Sequence, residues 1–295
     1  MNIFLKNHSL TYIIRLFLFL NFLFSESSFQ FSAESSSGYK DGNENVTLFD
    51  NNVIIKNDEM ILYADQAKNY KESQKILVSG NVKMYHQKDT LMCNKLLILQ
   101  NNGTKYQAED SIIFIQDKLQ ATCTNLIYWP ENNNIKASLS GDVKLNDFKK
   151  SLTCNQLIIY ADDNEKIEAN DNIFLKLSNQ RAISCERLFF WNLNNNIEAF
   201  SNVEVVDSSL KILGDSLYIN YQDSLIDRIK LFSNTKIIND KYVYTDSSKL
   251  KFPVQDMMEG SYMDIHFDNK EQVSKIGIYG MADIHFNIVE NQLFE

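Results

Sequence analysis

Apolar and polar residues alternate along most of this chain with a period of two. In KILVSGNVKMYHQ the residues Ile76, Val78, Val82 and Met84 share one parity, as do Ile197, Ala199, Val203 and Val205 further on. Such alternation predicts strands with one face buried and the other wet. A second kind of run, TLMCNKLLIL, keeps Leu91 and Cys93 in step and then slips by one place to Leu96 and Ile98. A slip at the Cys93–Asn94 pair predicts a bulge or sharp bend in mid-strand. Between runs stand QKD, QNNG, PENNN, ADDNEK, LNNN and YQDS, clusters of residues that turn a backbone readily. No apolar stripe of helical period is sustained after residue 45. The chain reads as a meander of long, bent antiparallel strands, at least fourteen of them by Phe252.

The two runs together form a unit that repeats about every thirty residues. All four cysteines, Cys93, Cys123, Cys154 and Cys185, occupy one slot of it at intervals of 30, 31 and 31 residues. Ala64 holds the same slot upstream, and Gly214 and Thr245 hold it downstream. A parallel anchor runs through SGNVKMY, SGDVKLN, NDNIFLK, FSNVEVV and FSNTKII. About eight copies result, and a period of this length marks one supersecondary unit stacked many times. It also decides what the cysteines do. Successive copies lie two strands apart, roughly 9.5 Å, whereas a disulfide needs Cα atoms within about 7 Å. No closely spaced cysteine pair of the zinc-binding kind occurs either. The slot is expected to be a small, buried, apolar position.

Charge narrows the range of partners. The 295 residues carry a net charge of −9, and no basic stripe exists to neutralise phosphates, so nucleic acid is excluded as a partner. An acidic lipid would have to be held by its apolar part. At the N-terminus Lys6 and Arg15 precede LFLFLNFLF, a short apolar run ending at Phe24. That length suits an export signal better than a spanning helix. The expected organisation is an export signal or uncleaved anchor over 1–33, a polar leader over 34–45 and one domain over 46–290.

The repeated units SGNVKM…CNKLLIL and SNVEVV…GDSLYIN, with IGIYGMADIHF near the end, resemble the OstA-like family. That family includes the periplasmic bridge protein of lipopolysaccharide transport and the N-terminal domain of its outer-membrane translocon. Its unit is G-[ND]-V-x-apolar followed by [AG]-D-x-L-x-[apolar or Tyr]; Gly214–Asn220 match the second half and Gly80–Val82 the first. The resemblance covers roughly Val46 to Phe286 and departs from the pattern where the AD slot is CN, CT or CE. It implies an all-β fold, an open β-jellyroll or β-taco whose long antiparallel strands bend in the middle to form two facing sheets. Family members hold lipid A acyl chains between the sheets and stack end to end through exposed edge strands. By position, the groove would be lined by Val82, Met84, Leu96, Ile98, Phe114, Leu126, Tyr128, Val143, Leu157, Leu175, Leu188, Phe190, Val203 and Leu217. The implied function is a non-enzymatic periplasmic carrier of lipopolysaccharide, without cofactor. Its partners would be other jellyroll transport proteins or a second copy of itself. The edges expected to receive them are NVTLFDNNVIIK and GMADIHFNIV.

Other signals weigh less. DIHF occurs twice, but the apolar neighbours of His266 and His285 alternate with them and turn the imidazoles outward. Glu168 and Glu198 stand beside turns and read as solvated. No Gly-rich phosphate loop and no Ser-His-Asp or Cys-His spacing is present. An outer-membrane β-barrel is the main rival, although it would place the polar mid-strand pairs near the bilayer midplane. A β-helical enzyme acting on polysaccharide would need a cluster of charged groups at one level, and none stands out in the sequence.

Overall fold

The computed structural model describes residues 29–285 apart from the short connections 58–59, 87–88, 101–104, 117–118, 130–134, 148–149, 161–165, 178–180, 192–195, 208–209, 223–224, 245–250 and 269–272. The apolar run at Leu16–Phe24 lies outside these residues. Every regular element among them is a β-strand, and every pairing is antiparallel. The chain divides into two compact units, residues 1–170 and 171–295.

The first unit holds β1 (Gln30–Ser32), β2 (Ser35–Asp41), β3 (Glu44–Lys56), β4 (Met60–Tyr70), β5 (Lys75–His86), β6 (Asp89–Leu99), β7 (Lys105–Gln116), β8 (Leu119–Tyr128), β9 (Ile135–Asp147) and β10 (Lys150–Tyr160). From β2 to β10 each strand pairs with the next. The unit boundary falls inside β11 (Lys166–Lys176). In the second unit β12 (Arg181–Trp191), β13 (Asn196–Asp207), β14 (Leu210–Gln222), β15 (Leu225–Tyr244), β16 (Lys251–Phe267) and β17 (Val273–Tyr279) continue the same meander. Beyond β17, β18 (Asp283–His285) returns to pair with β16.

Each odd-numbered strand from β3 to β15 is bent by two consecutive residues in the left-handed region. They are Asn51–Asn52, Gly80–Asn81, Asp110–Ser111, Gly141–Asp142, Asp171–Asn172, Ser201–Asn202 and Ser233–Asn234. The choice of Gly, Asn and Asp follows from sterics, because a short polar side chain tolerates this backbone and a branched one does not. At the bend, two residues of the odd strand oppose one of the even strand. The β5–β6 register passes from Ser79↔Lys95 to Val82↔Cys93, leaving Gly80 and Asn81 opposite Asn94. That is the bulge expected from the slip at Cys93–Asn94, and it recurs in the other pairs. Side chains brace it: Asn81 Nδ2 donates to Asp65 Oδ2 at 2.8 Å, and Asn234 Nδ2 to Asp215 Oδ2 at 2.9 Å.

Residues on one face of this single-layer sheet are buried almost completely, Val53, Ile55, Leu62, Val78, Leu96, Ile98 and Leu157 to 0 % exposure. With no helix among the described residues, only the other half of the bent sheet can cover them. The rings of Phe31 and Phe49 show this contact directly. Phe31 pairs with Ile55 on one half, Phe49 with Ala67 on the other, and the rings stack at 4.8 Å.

Three details of the strands bear on the expected layout. The sheet starts at Gln30, ahead of the boundary at Ala33, so cleavage there would remove β1. The polar leader supplies β2, a fully exposed strand that pairs with β3 from Ser35↔Asp50 to Asp41↔Glu44. This moves the first edge from β3 to β1 and β2, which take the two halves of β3 as one bent strand would. Thirdly, Thr245 lies outside the described residues, and the slot of its copy is held by Gly260. Thr235↔Gly260 repeats the pairing Val203↔Gly214. The displacement arises because β15 and β16 are long: Asp240–Tyr244 pair with Lys251–Gln255 past Asn239, the last partner of β14 on β15.

Candidate functional site

Both halves of the bent sheet present apolar side chains toward each other. On odd strands these come as two positions before the bend and two after it, Ala108 and Ile112 on β7 flanking the bent pair. On even strands they stand before and after the slot, as Leu152, Cys154, Leu157 and Ile159 do on β10. All fourteen residues expected to line a groove take such inward positions, and none is more than 9 % exposed. Val82, Met84, Phe114 and Val143 lie on one half of the first unit, and Leu96, Ile98, Leu126, Tyr128 and Leu157 on the other. In the second unit Val203 faces from one half and Leu188, Phe190 and Leu217 from the other, with Leu175 on β11 beside Val203's half. The same alternation brings in Ile76, Leu139, Ile183, Ile197, Leu231 and Ile265, which the groove expectation left out. Their signal was the shared parity.

Burial of these positions in a sheet bent back on itself means that the two halves cover one another. In the second unit the contact extends to the lips. Arg181, at the start of β12, lies 5.7 Å from the ring centre of Phe267, at the end of β16 on the opposite half. Arg181 also grips Asp207 Oδ2 with Nε at 2.9 Å and Nη2 at 2.6 Å.

Electrostatics inside the walls are quiet. Cys93, Cys123, Cys154 and Cys185 are unpaired by any disulfide and buried. Burial pushes each thiol up to about 12, against weaker lowering by backbone hydrogen bonds. They remain protonated and unreactive at neutral pH, since the thiolate is the nucleophile. Tightness explains why the slot is small: a Cβ built on Gly214 would sit 3.3 Å from Leu231 Cδ2.

Charged groups gather on the outer faces. Arg228 forks onto Asp264 and holds its carboxyl below the usual range. His266 Nε2 stands 3.4 Å from the same carboxylate, and His285 Nε2 stands 3.1 Å from Asp283. Glu168 departs from the expectation of a solvated face. It is 4 % exposed, accepts a hydrogen bond from the Tyr160 hydroxyl at 2.5 Å and lies 4.0 Å from Lys166 Nζ. Two neighbouring side chains fold over it, which position beside a turn does not reveal. Among the described residues no group of three or more His, Cys, Asp or Glu could hold a metal ion.

No curated protein matches the chain. Residues 33–165, however, match the family described as LptA/(LptD N-terminal domain) LPS transport protein. The match spans the bent strands from β2 to β10, with the Gly80–Asn81 bend and the Ala64–Asp65 slot among them. The likeness to that family is carried by residues 33–165, somewhat less than half of the chain.

Proposed function

We propose that the chain is a non-enzymatic periplasmic carrier that takes acyl chains of lipopolysaccharide between its two walls and passes them toward the outer membrane. Leu16–Phe24 would serve as the core of its export signal. The observation that carries this reading is the set of buried apolar positions on both halves, repeated from strand to strand in each unit. Each buried methylene contributes about 0.8 kcal/mol, so a twelve-carbon chain gains on the order of 9 kcal/mol before the walls are parted. Equivalent rows offer similar binding at each step, and a lipid moves along them with small net changes. The fourteen inward residues named above are the contacts expected for it.

The test uses neighbours of opposite parity. A benzophenone amino acid at Phe114, which faces inward, is expected to crosslink lipopolysaccharide in an exporting cell. The same group at Ile115, which is 37 % exposed on the outer face, is expected to crosslink little. Equal yields at the two positions would sink the proposal.

Assembly follows from the edges. An unpaired edge strand invites another sheet, and continuing the pattern of the meander gives the register proposed for a second copy. The residue after each bend meets the slot of the next strand, as Val82 meets Cys93 and Val143 meets Cys154. The last bend is Gly280–Met281, and Ala33–Glu34 stand as slot between β1 and β2. Continuing the rule places Tyr279 of one copy opposite Ser35 of the next, and Lys275 opposite Tyr39. The latter pair repeats Lys75 over Tyr70, whose cation–ring distance is 4.3 Å. Opposed residues have Cα atoms about 4.5–5.5 Å apart, within disulfide range. Tyr279→Cys mixed with Ser35→Cys is thus expected to give a covalent dimer on oxidation, against a background of inert native thiols. As much dimer from Tyr279→Cys mixed with Gly38→Cys would discard this register.

A further inference from the structure

At the lip of the second unit the inward face changes chemistry within one step of the alternation. Ile183 pairs with Val205, and both are buried to 1 % or less. The next inward pair toward the rim is Arg181 with Asp207. An apolar row therefore ends in a cation at the mouth. Arg181 is only 13 % exposed, and its guanidinium forks onto Asp207 beside it while lying over Phe267 from the opposite lip. Parting the walls at this place requires that the contact with Phe267 be broken.

An amphiphile whose chains lie between the walls must leave its head at the lips, because the polar part cannot follow into the apolar rows. Resting on the carrier reading above, we infer that Arg181 is the headgroup site of this trough: it latches the lips through Phe267 when the trough is empty and takes the phosphate of an anionic amphiphile when it is loaded. The exchange is physically easy. An arginine–carboxylate pair at a partly exposed rim is held weakly, and phosphate offers the same planar fork more charge and more acceptor oxygens. Asp207 competes with the ligand for the guanidinium and keeps it neutralised between loads. The lip then selects for phosphate, whereas the apolar rows behind it select only for chain length.

The full chain is titrated with two amphiphiles of equal chain length, dodecyl phosphate and dodecyl maltoside. The wild type is expected to bind the phosphate about tenfold more tightly than the sugar, the margin a charge-assisted fork provides. Arg181→Gln is expected to abolish that preference, with maltoside bound as tightly as by the wild type or more tightly, since the apolar rows remain and the latch onto Phe267 is gone. Asp207→Asn is expected to raise the preference several-fold, because the competing carboxylate is gone. A structural role for the pair predicts otherwise, with both variants losing thermal stability and binding both amphiphiles more weakly by the same factor. That result, or a phosphate preference that survives Arg181→Gln, overturns the inference. If the wild type binds neither amphiphile, the trough itself is at fault rather than the lip.

Discussion

Leu157→Asp is expected to unfold the first unit under conditions where the wild type is stable. Leu157 is fully buried, pairs with Leu139 on β9 and faces the opposite wall. Truncating such a leucine alone costs about 2–5 kcal/mol. An aspartate adds a carboxyl with no partner in an apolar layer, which must stay protonated or draw water between the walls. The total is on the order of 5 kcal/mol, comparable with the whole stability of a domain. Ile158→Asp, one residue away on the outer face, is expected to cost about 1 kcal/mol or less. Urea denaturation of the two variants compares them directly. Similar midpoints would mean that β10 has no buried side and that the bent sheet does not close on itself.

Gly141→Ala is the second large effect. Gly141 has a φ of +78°, and a Cβ there would sit 1.8 Å from Thr124 Oγ1. That hydroxyl donates to the Ser140 carbonyl at 3.1 Å, so it cannot give way without losing its bond. Left-handed strain of about 1–2 kcal/mol and a lost hydrogen bond of about 1 kcal/mol sum to roughly 2–3 kcal/mol. The sign of the clash can be isolated, because Asp110 and Ser201 show that the first bend position accepts a side chain elsewhere. Thr124→Ala should therefore rescue about half of the loss in the double variant, a coupling visible in a double-mutant cycle. Strict additivity would show that Thr124 is not the obstacle.

Much of this architecture was legible in the alternation. Ile76, Val78, Val82 and Met84 declared a buried face, and the slip at Cys93–Asn94 declared a bend. The thirty-residue interval placed the cysteines too far apart to bridge, and they stand free. What parity could not convey is which residue of one wall meets which residue of the other. The Phe31–Phe49 stack and the Arg181–Phe267 contact join positions remote in register, and no period encodes them. Ser35–Asp41 went unrecognised as a strand because a serine-rich edge buries nothing and so shows no alternation. Thr245 was misplaced for a different reason. Counting thirty residues from Gly214 assumes hairpins of constant length, and β15 alone runs for 20 residues. Glu168 was misjudged because its burial comes from Tyr160 and Lys166, side chains on either side of a turn.

The two-residue bends have a mechanical corollary. Among the described residues every out-and-back excursion takes its backbone hydrogen bonds only from the excursions beside it. Drawn from its ends, such a chain would surrender one loop at a time, each yielding roughly 100 Å of slack. The same independence means that an ancestor could have been lengthened by copying a single loop, with no remodelling elsewhere.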